Sequence, residues 1–165
     1  MGKKLVAYFS TGGITKVIAE RLAEAVRAEV YEIRPQTPYT HNDLNWLDRT
    51  SRSSVEMADK SCRPPLADSS ADVAGADVVY VGFPVWWYRE PSIVDTFLEA
   101  YDFSGKTIVP FCTSGSSDIG DTAVRMREIV GDDAKVLPGR RFSANATIAQ
   151  LKNWADKINQ KKKPR

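Results

Sequence analysis

Residues 5–26 read LVAYFSTGGITKVIAERLAEAV. An apolar run (Leu5, Val6, Ala7) of strand type leads into the short stretch YFSTGGITK (Tyr8 to Lys16), and VIAERLAEAV then places apolar residues at helical spacing. The loop between the two patterns holds Ser10, Thr11, Gly12, Gly13, Ile14 and Thr15. Adjacent glycines let backbone N–H groups crowd around an anion, and the first turn of a helix offers unpaired donors at the positive end of its dipole. The loop therefore reads as a phosphate cradle. The alternative is an ordinary strand-to-helix turn in which Thr15 or Ser10 caps the helix.

Working outward, four further apolar runs of strand type follow: VYEIRP (30–35), DVVYVGFP (77–84), KTIVPFCTS (106–114) and KVLPGRRF (135–142). Helical patterns fall at 15–28, 91–101, 121–130 and 147–159. This alternation implies an α/β fold, a three-layer, doubly wound, five-stranded parallel sheet, because parallel neighbours need crossover connections. The runs at 3–10, 77–84 and 106–114 are nearly apolar throughout, as interior strands are. The fifth contains Pro138 and is expected at an edge. Residues 36–76 form a long, lid-like irregular excursion, with weak helical periodicity over 42–58 and a possible helical turn at ADVAG (71–75).

With 165 residues and 42% hydrophobic content, the chain is expected to form one domain over 1–159, followed by a basic, disordered tail at 160–165. Four positive charges lie in that tail (Lys161, Lys162, Lys163, Arg165), so the formal net charge of +2 leaves the body at −2. No aromatics interleave with the basic residues, and no nucleic-acid partner is expected. No apolar run approaches the roughly 20 residues of a membrane span, and the expected location is the cytoplasm. Cys62 and Cys112 belong to no CxxC pair, which leaves reduced thiols and no metal site as the expectation. Cys112 reads as buried at a strand end, His41 as a solvated loop residue and Arg89 as a surface residue.

In a doubly wound sheet, ligands bind beyond the carboxyl ends of the strands. The loops after the first, third and fourth strands are STGGIT (10–15), PVWWYREP (84–91) and CTSGSSDIG (112–120). Trp86, Trp87 and Tyr88 follow Pro84 in a loop and cannot all point into one core, so some aromatic surface must face outward. No glycine lies between Pro84 and Pro91, so positive φ is expected to be strained there. The third loop is small and hydroxyl-rich, with N–H groups suited to the polar edge of a planar ring. Together the three suit a flat aromatic ligand that carries a phosphate.

Over these residues, in YFSTGGITKVIAERLA and in GFPVWWYREPSIVDTFLEAYDFSGKTIVPFCTSGSSDIG, the chain resembles the flavodoxin family, in particular a bacterial branch with a Pro-x-Trp-Trp loop. The resemblance implies strand order 2-1-3-4-5 and bound FMN. It implies that Ser10 and Thr15 supply hydroxyls to the phosphate, with N–H groups from Thr11, Gly12, Gly13, Ile14 and Thr15. Pro84, Val85, Trp86, Trp87 and Tyr88 would flank the flavin ring, and Thr113, Ser114, Gly115 and Ser116 would meet its pyrimidine edge. One departure is Gly12, where the family usually carries a threonine.

Two functional expectations remain open. One is an FMN-binding flavodoxin-like redox protein that passes electrons to a partner protein through its flavin. The alternative is an NAD(P)H-dependent FMN quinone reductase that acts directly on small acceptors. Carriers of the family are typically strongly acidic around the flavin, and a near-neutral body weakens the first reading. No acid–base residue is required by either. A receiver domain would need acidic residues where this chain has Ser10 to Gly13, and neither GxGxxG nor GxxxxGK[ST] occurs in the first loop.

Overall fold

The computed structural model describes residues 3–114 and 117–162. Its strands are β1 (Lys4–Tyr8), β2 (Glu29–Glu32), β3 (Val78–Pro84), β4 (Thr107–Thr113), β5 (Lys135–Val136) and β6 (Arg140–Phe142). All pair in parallel, in the order β2-β1-β3-β4-β5, with β6 also on β4. Helices α1 (Ile14–Val26), α2 (Arg52–Ala58), α3 (Ser92–Ala100), α4 (Thr122–Val130) and α5 (Ile148–Lys162) complete the chain. This is the three-layer arrangement and the strand order expected from the alternation of patterns and the family resemblance.

The strand period of two divides the core into two layers. Leu5, Ala7, Val79, Val81, Phe83 and Ile108 face α3 and α4, where they pack with Ile93, Phe97, Leu98 and Met126. Val6, Tyr8, Tyr80, Val109 and Phe111 face the opposite way, onto Ile18 and Leu22 of α1 and Leu151 and Trp154 of α5. Phe83, Phe97 and Phe111 are wholly buried, each contributing roughly 1.5–3 kcal/mol by removal from water.

Three expectations are corrected. The fifth run is two strands rather than one, broken at Leu137, Pro138 and Gly139. Proline has no N–H to donate, and the chain passes so close to β4 that a Cβ on Gly139 would lie 2.2 Å from the Pro110 carbonyl oxygen. The second run pairs over Glu29–Glu32 instead of 30–35, because the chain leaves the sheet after the Ile33 N–H bonds to Tyr8 O at 2.6 Å. The stretch 71–75 is a turn, closed by the Ala76 N–H on Val73 O and by the Gly75 N–H on the Asp72 carboxylate, not a helical turn.

The excursion has a defined base. Pro35 and Leu66 form an antiparallel bridge, and the Gln36 N–H and Ala67 N–H donate to Pro65 O and Arg34 O, both at 2.8 Å. The weak periodicity of 42–58 resolves into a short 3-10 helix at Asn42–Leu44 and α2, which Ser51 caps through its hydroxyl. Tyr39 anchors the segment: its ring packs edge-on against Phe9 and Trp86, its hydroxyl donates to Glu56, and the Arg52 guanidinium lies 3.9 Å above it. Burial, reinforced by the Glu56 bond, raises the Tyr39 pKa far above the ordinary tyrosine value.

Candidate functional site

The first loop leaves β1 and turns into α1 at Gly13, whose φ of 91° lies in the left-handed region that glycine adopts without strain. The Gly13 N–H donates to the Ser10 hydroxyl at 3.1 Å, which closes the turn. No side chain caps α1. Its first-turn N–H groups are thus left for an outside acceptor, as an anion site requires. Gly12 lies outside the positive-φ set, and a Cβ built on it or on Gly13 would meet nothing within 4 Å. Thr15 neither caps the helix nor faces solvent. It is buried, and its hydroxyl shares a 2.7 Å hydrogen bond with the hydroxyl of Thr113, tying the first loop to the end of β4.

The second loop is a tight reversal. Trp86 and Arg89 exchange backbone hydrogen bonds of 3.0 and 3.1 Å around Trp87 (φ 46°) and Tyr88 (φ 66°). Two consecutive positive φ values are the geometry of a type I′ turn, which glycine and asparagine adopt most readily. The loop therefore takes up positive φ at two residues although it holds no glycine, in the conformation expected to be strained for such residues. The reason is tertiary: Arg89 is buried, not at the surface as its residue type suggested, and it clamps the turn from below. Its guanidinium donates to Met57 O at 3.0 Å and lies 3.8 Å from Asp95. The three aromatics diverge as expected. Trp86 turns inward against Phe9 and Tyr39, while Trp87 is 42% and Tyr88 83% exposed.

Behind this turn lies a charged cluster. Glu90 is buried and takes a 2.8 Å bond from Arg125, while Asp95 is 4% exposed and has one carboxylate oxygen without a partner. Burial first, and then the neighbouring Glu90, push the Asp95 carboxyl well above the ordinary carboxylate range.

The third loop begins at Thr113 and Ser114. The Arg141 guanidinium donates to the Ser114 hydroxyl at 3.0 Å and to its carbonyl at 2.9 Å. The Ser114 hydroxyl in turn donates to Ser117 O. Gly115 and Ser116 lie outside the described residues. Cys112 is buried, as expected, and burial pushes its thiol up to about 12. His41 is exposed.

These loops enclose a cavity of about 830 Å3 beyond the carboxyl ends of the strands. Of the expected site residues, Ser10, Thr11, Gly12, Ile14, Thr15, Pro84, Val85, Trp86, Thr113 and Ser114 line it. Gly13, within the turn, does not, and neither do Trp87 and Tyr88. The latter two line a second cavity of about 550 Å3 that shares Thr11, Trp46, Val85, Trp86 and Ser117 with the first. Reasoning from sequence missed Trp46, Ser117, Arg141, Ser143 and Ala144 in the first cavity. Arg141 was findable: it is next to last in the fifth strand run, so it lies at the carboxyl edge of the sheet. Trp46 carried no such signal, since only the folding back of the excursion brings it there. Among the described residues no group of histidine, cysteine or acidic side chains is arranged to hold a metal ion, and no helix is long and apolar enough to cross a membrane.

The cavity combines the features that a phosphorylated aromatic ligand would require. An uncapped helix end and a glycine cradle lie at one end, an aromatic wall at the other, and a hydroxyl-bearing loop held by an arginine along the side.

Comparison with known proteins agrees with this geometry. The flavodoxin family model matches residues 3–158. A candidate flavoprotein from Bacteroides uniformis is 44% identical, with a TM-score of 0.86, covering 94% of this chain and 98% of its own. A second, from Bacteroides eggerthii, is 40% identical, with a TM-score of 0.90, covering 96% and 99%. A flavoprotein from Lactobacillus acidophilus, solved in complex with FMN, shares the fold at 19% identity and a TM-score of 0.71, covering 94% and 99%. No curated protein matches the chain. With the family model spanning nearly the whole sequence and the strand order in agreement, the chain belongs to the flavodoxin family.

Proposed function

We propose that this protein binds FMN and acts as a redox protein that passes electrons through the flavin. The observation that carries the reading is the convergence of an uncapped α1 terminus, the Trp86 wall and the Ser114 loop on one cavity of about 830 Å3. When bound, the flavin supplies the electron transfer.

The protein's own residues do the rest. First-turn N–H groups of α1, with the backbone at Thr11 and Gly12, bind the phosphate. The Thr15–Thr113 bond fixes that cradle against β4, so phosphate and ring sites keep a constant separation. Pro84, Val85 and Trp86 exclude water from one side of the ring site. Arg141 holds Ser114 in place for the ring's polar edge and brings a positive charge to the cavity, which favours whichever redox state is more negative. The two thiols, both unbridged, suit a reducing compartment, and we place the protein in the cytoplasm.

Two observations favour direct reaction with small molecules over docking on a partner protein: the near-neutral body and the second cavity beside the first. In that reading NAD(P)H donates and a small acceptor receives. The test is a titration of the purified protein with FMN and with riboflavin, followed by anaerobic addition of NADH or NADPH. FMN should bind more tightly than riboflavin, and a reductase should bleach at 450 nm on addition of nucleotide alone. Equal affinity for riboflavin would sink the phosphate assignment.

A further inference from the structure

We propose that Asp95 is held as a neutral acid beside Glu90 and serves, through Arg89, as a proton-operated latch that fastens the Trp86–Arg89 turn to the excursion. Both fastened parts reach the ring end of the first cavity, through Trp86 and Trp46. The effect of the latch on flavin affinity therefore rests on the FMN reading.

The argument starts from distances. Ionised guanidinium–carboxylate pairs close to about 2.7–2.9 Å. Arg125 with Glu90, and Arg63 with Glu99, do so at 2.8 Å. Asp95 has two arginines within reach, yet Arg89 stands 3.8 Å and Arg63 3.9 Å from its Oδ2, and its Oδ1 has no partner. A buried carboxylate ion matched so loosely would be strongly destabilised, whereas a neutral carboxyl suits these contacts. Burial, and then Glu90, push the Asp95 carboxyl up to about 8, against the opposing influence of Arg63 and Arg89. Asp59 and Cys62 also lie beside the two arginines, while Glu56 of α2 is occupied by Tyr39 and Arg52.

With Asp95 neutral, the Arg89 guanidinium donates to Met57 O of α2 at 3.0 Å and to Glu90 O at 3.3 Å. One buried side chain thus joins the excursion to the turn that holds Trp87 and Tyr88 at positive φ. When the Asp95 carboxyl gives its proton to water, the new charge draws Arg89 off those carbonyls, since a carboxylate is the stronger acceptor for a guanidinium. The turn then loses its bond to α2, and the ring end of the site loosens.

The experiment titrates the protein with FMN and with riboflavin from about pH 7 to 9, and follows tryptophan fluorescence of the ligand-free protein over the same range. Affinity for both flavins should fall about threefold to tenfold as pH rises, with a parallel change in fluorescence, because Trp86 and Trp87 lie in the turn. Asp95→Asn, uncharged at every pH, should show neither change. Glu90→Gln removes the charge that favours the proton and should move both changes to lower pH. Bound flavin whose affinity stays level in the parent would overturn the latch, as would the same pH dependence in Asp95→Asn. A response confined to FMN would overturn it too, because the change would then lie at the phosphate. If neither flavin binds, yet the parent's fluorescence titrates and that of Asp95→Asn does not, the cofactor reading fails and the latch stands; level fluorescence in that case overturns both.

Discussion

Gly12 stands where the family usually carries threonine, and the structure determines what restoring that threonine should do. A side chain at this position faces two opposing effects. A hydroxyl directed at the bound phosphate would add one hydrogen bond to a charged group, worth about 1.5–3 kcal/mol. A glycine at positive φ would cancel that gain through about 1–3 kcal/mol of backbone strain. The second effect is absent here, because Gly12 is outside the positive-φ set and its Cβ would meet nothing within 4 Å. Gly12→Thr should therefore tighten FMN by roughly tenfold to a hundredfold. Gly12→Ala should leave FMN affinity within about twofold of the parent and raise stability by about 0.4–1 kcal/mol, by restricting the unfolded chain. Quenching of FMN fluorescence on titration gives the affinities, and urea unfolding of the protein without ligand gives the stabilities. If both variants fold and Gly12→Thr does not tighten FMN, the phosphate is not beside residue 12. The assignment of the 10–15 loop would then be wrong.

Three further outcomes are expected. Asp95, whose folded pKa is pushed up to about 8, holds its proton more tightly in the folded state, so its contribution to stability is complete below about pH 4 and is lost as pH rises toward 8. Asp95→Asn should remove that loss, on the order of a few kcal/mol, and gain on the parent progressively between pH 5 and 8 in urea midpoints; parallel curves for the two proteins would refute it. Tyr88→Asn places a residue tolerant of the left-handed region at φ 66° and should raise the melting temperature by a few degrees, reflecting up to about 1 kcal/mol. Thr113→Val removes the bond to Thr15 and leaves a buried hydroxyl without its partner, which should cost about 1–3 kcal/mol and weaken FMN and riboflavin unequally, FMN more. Equal weakening would mean that the threonine pair does not support the phosphate end.

How far the sequence was legible depends on the distance over which each signal acts. Runs such as KLVAYFS and DVVYVGFP declare strands because their apolar, β-branched character is local, and the helical periodicities at 15–28 and 91–101 are local as well. The glycine pair and hydroxyls of 10–15 point to a cradle for the same reason, since the backbone N–H groups of a strand-to-helix turn can bind an anion without help from distant residues. Arg89 shows where this ends. Its residue type favours the surface, yet it lies buried because Asp95 from α3 and the Met57 carbonyl from α2 converge on it, and neither partner is adjacent in sequence. That convergence also holds Trp87 and Tyr88 at positive φ, against their intrinsic preference. Likewise Trp46 and Arg141 reach the cavity only because the excursion is closed at the Pro35–Leu66 bridge and because β6 pairs with the far end of β4. The sequence by itself determined most of the elements and their parallel pairing, through periodicity acting over a few residues, while the strand order was legible only through the resemblance to a known family. Only the tertiary structure decided the aromatic wall, the arginine clamp and the second cavity, because those depend on contacts between segments far apart in the chain, whose energies no local pattern records.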